Sequence, residues 1–185
     1  DLVFPGVSHT PFALLDGVED RLIMMSSTTK TFNIAGIHTG NVIIPDPALR
    51  KPFAARMAAL GIGGNAFGFR LAEAAYSPAG AAWVDALVSY LDSNRRLFDD
   101  AVNAIPGLRS MPLESTYLAW VDFSGTGMPQ EDVNARVLKQ AKLAVNLGPT
   151  FGKGGESFLR LNFATPRAVV QDAVDRLAEA FADLQ

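Results

Sequence analysis

Between residues 80 and 123 the apolar pattern of this chain changes period. From about Gly80 to Ala104, the residues Trp83, Leu87, Tyr90, Leu91, Phe98 and Val102 recur at three- and four-residue steps. That spacing makes one face of a helix, and Pro106-Gly107 ends it. From Tyr117 the pattern alternates: Tyr117, Ala119, Val121 and Phe123 interleave with Leu118, Trp120 and Asp122. This predicts a strand covered on both faces for most of its length. A long helix feeding a sheet strand limits the fold to mixed α and β layers. The boundary falls inside the helix near Trp83, with part of an α/β domain over residues 1–82 and a small α+β domain over 83–185.

The remaining elements follow from punctuation and period. Residues 1–20 carry the breakers Pro5, Gly6, Pro11 and Gly17 and read as a loop-rich start. Arg21 to Ser26, with its apolar run Leu22 to Met25, predicts a buried strand, and Gly40 to Pro45 a second. Asp46 caps a helix whose first position is Pro47, running to about Leu60 before Gly61-Ile62-Gly63-Gly64. Asn65 to Tyr76 and Pro129 to Leu143 predict further helices, and Phe158 to Ala164 a strand broken by Pro166. Val170, Ala173, Val174, Leu177, Ala180, Phe181 and Leu184 form the stripe of a terminal amphipathic helix. Trp83, Tyr90 and Phe98 read as core.

The 185 residues are 49% hydrophobic, enough for a buried core. Sixteen Lys and Arg against nineteen Asp and Glu leave a net charge of −3, and no basic stripe marks a nucleic-acid surface. There is no cysteine, which removes disulfides, zinc thiolates and thiol nucleophiles and is compatible with the cytoplasm. No run of about 18 apolar residues exists to span a bilayer. The first residues lack the basic and apolar regions of a signal peptide. No metal constellation is present. His9 has no carboxylate at ligand spacing and reads as a loop residue.

One lysine stands out. After the apolar run the chain enters a polar loop, Ser26 to Thr31, in which Lys30 is surrounded by Ser27, Thr28, Thr29, Thr31 and Asn33. Hydroxyls and backbone N–H groups at a turn hold phosphate oxygens. A deprotonated lysine amine condenses with carbonyls. Local turn-making is the plain alternative for Ser27 and Thr29. Arg160 lies between Leu159 and Leu161 in an apolar strand, so its guanidinium needs a partner. That partner is either an internal carboxylate such as Glu156 or a ligand carboxylate, which a planar fork suits. Gly148 to Gly155 lacks the Gly-Lys-Ser/Thr ending of a nucleotide loop; its glycines permit close approach beside Arg160.

The segment Ser27-x-x-Lys30-Thr31-Phe32-Asn33-Ile34-Ala35-Gly36 closely resembles the lysine segment of fold-type I pyridoxal-phosphate enzymes. Within them it is similar to the class I/II aminotransferases, and most to the cystathionine β-lyase-type C–S lyases. Three further segments extend the resemblance to the C-terminus. They are Ala75-Tyr76 with Gly80, Trp83 and Tyr90-Leu91-x-x-Asn94; Glu114-x-Thr116-Tyr117-Leu118-x-Trp120-x-Asp122; and Phe151-Gly152, Gly155-Glu156 and Phe158-x-Arg160-Leu161-Asn162-Phe163-Ala164-x-Pro166-Arg167.

The resemblance implies an α/β fold, the C-terminal part of a longer enzyme: the end of a large cofactor-binding domain plus a small domain. It implies that Lys30 is the Schiff-base lysine and α-proton carrier, a role usually helped by burial beside another cation. Ser27 and Thr29 would touch the cofactor phosphate, and Arg160 the substrate carboxylate. Read from the residues themselves, Arg167, after Pro166, caps or pairs on the surface, and Asn162 bonds locally. Many aminotransferases place a phosphate-binding arginine where this chain has His38; the C–S lyases often lack it, which favours that branch.

The implied protein is a cytoplasmic homodimer acting on a small amino acid, with pyridoxal 5′-phosphate and neither nucleic acid nor membrane as partner. β-Elimination from a sulfur-containing amino acid is the leading reaction, and transamination is the alternative. The 185 residues alone are expected to be inactive. A catalytically dead unit that only folds or binds a partner is the third reading.

Overall fold

The computed structural model of the chain describes residues 1–184, which fall into two compact units, Asp1–Leu87 and a second beginning at Val88. In the first, β1 (Met24–Ser26) pairs antiparallel with β2 (Asn41–Ile43), matching Met24 to Ile43, Met25 to Val42 and Ser26 to Asn41. Between them lies α1 (Thr28–Thr31), a single turn. Three helices follow: α2 (Pro47–Ala59), α3 (Ala66–Ala75) and α4 (Pro78–Asn103), whose later turns belong to the second unit.

The starts of these helices follow from their caps. Asp46 accepts the Ala48 N–H at 2.7 Å, Asn65 accepts that of Gly68 at 2.8 Å, and Ser77 accepts that of Gly80 at 3.1 Å. Each cap satisfies a donor that a helix leaves unpaired at its start. The Ser77 cap also explains why α4 begins two residues before Gly80.

The expectation of a buried strand at Leu22 to Met25 is corrected. Leu22 is buried, but Ile23 and Met25 are exposed, as are Val42 and Ile43 opposite. A two-stranded pair has nothing to cover its faces unless other elements do. Trp83 and Tyr90 are also not core. Trp83 is half-exposed and stacks on Phe32 with centroids 5.5 Å apart, while the Tyr90 hydroxyl accepts the Arg167 N–H at 2.8 Å. Of the three aromatics only Phe98 is buried.

The second unit is built on an antiparallel sheet of β3 (Arg109–Ser110), β4 (Leu118–Asp122), β5 (Asn146–Leu147) and β6 (Phe158–Asn162), in the order β3-β4-β6-β5. Period-two alternation sends Ala119, Val121, Leu159 and Leu161 to one face, all buried. The core there also holds Leu91, Phe98 and Val102 of α4, Val133 and Val137 of α5 (Gln130–Lys139), and Val170, Val174 and Leu177 of α6 (Arg167–Ala180). Burying each such side chain fully is worth about 1.5–3 kcal/mol. Helix α5 ends at Lys139 rather than Leu143: Lys142 turns to φ 54°, and the Leu143 N–H folds back to the Val137 carbonyl at 3.0 Å. Among the described residues no helix is long and apolar enough to cross a membrane.

Polar side chains tie α4 to this sheet. Asn94, fully buried, donates to the carbonyls of Phe163 at 3.1 Å and Thr165 at 2.9 Å. Arg95 bridges Asp92 at 2.8 Å and Asp99 at 2.9 Å, and Arg96 meets Asp92 at 2.7 Å. Ser110 of β3 donates its hydroxyl to Asp99 at 2.6 Å. Burial pushes the Asp92 carboxyl pKa up, but hydrogen bonds and charge from Arg95 and Arg96 outweigh it, so Asp92 titrates below its usual range.

The sign of the pH effect follows. A carboxyl whose pKa is lowered on folding stabilises the fold above its unfolded value of about 3.9 and loses that contribution as pH falls through the folded value. D92N is therefore expected to lower stability near neutral pH and to leave a shallower loss on acidification below about pH 4. Urea midpoints for both proteins across pH 2.5–7 check this (roughly the range over which a carboxylate titrates). Parallel pH curves would refute it.

Candidate active site

The turn that carries Lys30 is set by its first residue. Ser27 is extended at φ −152°, ψ 138°, and its Oγ accepts the Thr29 N–H at 3.1 Å. What the sequence suggests as a loop is thus a capped helical turn. The Ser27 hydroxyl also donates to the Thr39 carbonyl at 2.7 Å. Its only proton is spent there, so the 2.7 Å contact between Ser27 and Thr29 hydroxyls has Thr29 as donor. Thr28, Thr29 and Thr31 are buried, and Thr31 donates to the Asp1 carboxylate at 2.8 Å.

A second layer fixes Thr39. Its side chain lies so close to Gly68 of α3 that a Cβ there would come within 1.9 Å of the Thr39 Oγ1. Asn65, which caps α3, donates to the Ile37 carbonyl at 2.9 Å. The chain of support runs from the start of α3 through Thr39 to Ser27 and so to the turn of Lys30.

Lys30 itself is exposed. Among the described residues its ammonium has no hydrogen bond or ion pair. A primary amine left without a counter-ion is available to an incoming carbonyl or carboxylate. His38, eight residues on, is exposed in the left-handed region at φ 50°, ψ 47°. His9 is exposed too. Among the described residues no cluster of His, Cys, Asp or Glu could hold a metal ion.

Arg160 stands in the second unit, on β6. Because Leu159 and Leu161 face the core, Arg160 faces the other side of the sheet, in register with Trp120 of β4 and Asn146 of β5. Its Nη2 donates to the Asn146 side chain at 3.1 Å. Its Cζ lies 4.4 Å from the Phe151 ring centroid. Trp120 meets Phe151 edge-on at 5.5 Å and stacks on Phe158 at 5.2 Å. The expected internal alternative, Glu156, is engaged elsewhere: it accepts the Gly154 N–H at 2.8 Å. Among the described residues Arg160 has no carboxylate partner, and its buried Nε has no acceptor. A charged fork half-buried beside aromatic rings, with hydrogens unspent, can receive an external anion.

The neighbours behave as read from the sequence. The Asn162 side chain accepts the Ala164 N–H at 2.8 Å. Arg167 is held by α4, with its guanidinium hydrogen-bonded to Ser93 and Asn94 and lying 5.3 Å from the Tyr90 ring. The sequence reading missed Asn146 and the roles of Trp120 and Phe151 around Arg160. Pairing Asn146 with Arg160 requires the strand register, which no local pattern in so short a strand as β5 reveals.

Residues 1–177 match the family profile "Aminotransferase class I and II", so the chain belongs to the class I and II aminotransferase family. It is 38% identical over 183 residues to cystathionine beta-lyase PatB of Bacillus subtilis, covering 97% of this chain and 47% of that protein. An aspartate aminotransferase of Pyrococcus abyssi is 26% identical over 95% of this chain and 45% of its own length. Cystalysin from Treponema denticola, solved with a pyridoxal 5′-phosphate cofactor, superposes with a TM-score of 0.90 at 32% identity, over 99% of this chain and 47% of that one. The chain spans about half the length of the curated relatives it matches. Its α/β architecture is that of the C-terminal part of this fold.

If Ser27 organises the turn as its bonds indicate, S27A should cost about 1 kcal/mol of stability, the usual value of a lost N-cap. S27T should recover most of it. Chemical denaturation followed by far-UV circular dichroism measures both; equal midpoints for wild type and S27A would exclude the role.

Proposed function

We propose that this chain carries the lysine and the carboxylate-binding arginine of a pyridoxal-phosphate enzyme. Its reaction is β-elimination from a sulfur-containing amino acid such as cystathionine, which takes up one water and gives a thiol, pyruvate and ammonia. The observation that carries the reading is the unpaired Lys30 amine on a hydroxyl-capped turn, in a chain 38% identical to a cystathionine β-lyase over nearly its whole length.

The residues fit the cofactor in two respects. The exposed amine of Lys30 suits an aldehyde. The Thr29 hydroxyl can rotate to a phosphate oxygen without undoing the turn, because Ser27 still accepts the Thr29 N–H. Thr29 is accordingly assigned to the phosphate and Lys30 to the aldehyde; Ser27, whose proton goes to the Thr39 carbonyl, serves the phosphate site by setting the turn. When bound, pyridoxal phosphate supplies a ring that accepts the electron pair left at the substrate α-carbon. Lys30, as the free amine, takes the proton from that carbon at Nζ. Arg160 holds the α-carboxylate through two parallel N–H···O bonds, which fixes the amino acid's orientation. The enzyme is assigned as a cytoplasmic homodimer. The division of labour between residues 1–82 and 83–185, cofactor in the first and carboxylate in the second, belongs to the same proposal.

Transamination is the second reading, favoured by the likeness to an aspartate aminotransferase. It uses the same Lys30 and Arg160 up to removal of the α-proton. Pyruvate and thiol released from cystathionine without a keto-acid acceptor identify the lyase; a strict requirement for such an acceptor identifies the transaminase.

Two substitutions test the residue assignments in the intact protein. K30A should abolish both turnover and borohydride fixation of the cofactor to the chain while leaving the fold near wild type. Fixation to a different lysine in the wild-type protein would overturn the Lys30 assignment. R160K should weaken amino-acid binding by about 1.5–3 kcal/mol, the value of a hydrogen bond to a charged group, because an ammonium cannot reproduce the two-point fork. Amines lacking a carboxylate should be much less affected. Equal losses for both kinds of ligand would make Arg160 a structural residue.

A further inference from the structure

Beyond the assignment of Arg160 lies the question of what aims it. We propose that Asn146 and Phe151 are its positioning residues, and that together they leave its Nη1–Nη2 edge as the one offered to a carboxylate. This rests on the reading of Arg160 as the carboxylate receiver.

Three observations carry it. Asn146 sits directly across from Arg160 in the β5–β6 pairing and accepts from Nη2 at 3.1 Å, which grips the guanidinium at one edge. Phe151 lies beneath it, with its ring centroid 4.4 Å from Cζ, which fixes the plane. Nε is closed off from solvent and has no acceptor, so the side-on approach through Nε is shut. The hydrogens that remain are both on Nη1 and one on Nη2, and an end-on fork draws one from each of these nitrogens.

Phe151 is itself held by the loop that carries it. Gly148 and Gly155 close the base of that loop so tightly that a Cβ on Gly148 would lie 2.0 Å from the Gly155 carbonyl oxygen, and one on Gly155 would lie 2.1 Å from that of Gly148. Trp120, edge-on at 5.5 Å, packs against the same ring. Arginine has many rotamers, and fixing edge and plane before the ligand arrives removes an entropy cost from binding. Gly148 and Gly155 thereby acquire a purpose: they let the loop close far enough to set a ring under the arginine.

The test uses the holoenzyme and isothermal calorimetry with propionate, which presents a carboxylate and no amine, against propylamine as control. R160A should abolish measurable propionate binding. N146A and F151L should each weaken it by about tenfold, as expected for one lost hydrogen bond or cation–π contact, with propylamine unchanged. F151Y, which keeps the ring, should stay within about twofold of wild type. N146D sets a carboxylate against the guanidinium and should weaken propionate binding further than N146A. In turnover the two positioning variants should raise KM for L-cystathionine with little change in kcat. If R160A loses propionate while N146A and F151L bind it as wild type does, the positioning inference falls and the Arg160 reading stands. If R160A binds propionate normally, the Arg160 reading itself falls.

Discussion

The pairing of β4 with β6 is the constraint on which the second unit depends. Side chains alternate across a strand, so the register that places Leu159 and Leu161 opposite Val121 and Ala119 in the core also turns Arg160 to the far face beside Trp120. A slip of one residue would bury the guanidinium and expose the leucines. The apolar core therefore sets the direction of the arginine, and the cost of burying an unpaired charge defends the register from the other side. Asn94, reaching from α4 to the carbonyls of Phe163 and Thr165, anchors the chain just past β6 and holds that register at its end.

The two candidate positions use opposite kinds of support. Around Lys30 the polar groups spend their hydrogens on one another: Thr29 on Ser27, Ser27 on Thr39, and Asn65 on the carbonyl of Ile37. That closed network stiffens the turn and does not engage the lysine. Around Arg160 the support is mostly aromatic, with Phe151, Trp120 and Phe158 in sequential ring contact. Rings hold the guanidinium without neutralising it, so its charge stays uncompensated. In both cases the proposed functional group lacks an internal counter-ion among the described residues.

Much of this was legible in the residues alone. The period change after Ala104, Asp46-Pro47 at one helix start and Asn65 at another, and the lysine and arginine motifs are all local signals. Local chemistry suffices for them, because a cap or an amphipathic face is written in neighbouring positions. The family resemblance rested on the same motifs, and the match over residues 1–177 bears it out. The site assignments drawn from it remain the proposal made above.

The tertiary structure decided what depends on partners distant in sequence. Leu22 to Met25 reads as buried because it is apolar, but burial needs a covering layer, and among the described residues β1 has only β2 paired beside it. Trp83 and Tyr90 share a helical stripe with Phe98, but only Phe98 lies among the sheet's inward side chains; Trp83 stacks on Phe32 and Tyr90 receives Arg167. Glu156 is four residues from Arg160 and oppositely charged, yet it turns to the Gly154 N–H. Asn146, fourteen residues away, reaches the guanidinium instead. Sequence determines which groups a chain has and which local shapes they favour. Strand register and loop closure determine which of those groups meet, because they alone set distances between residues far apart along the chain.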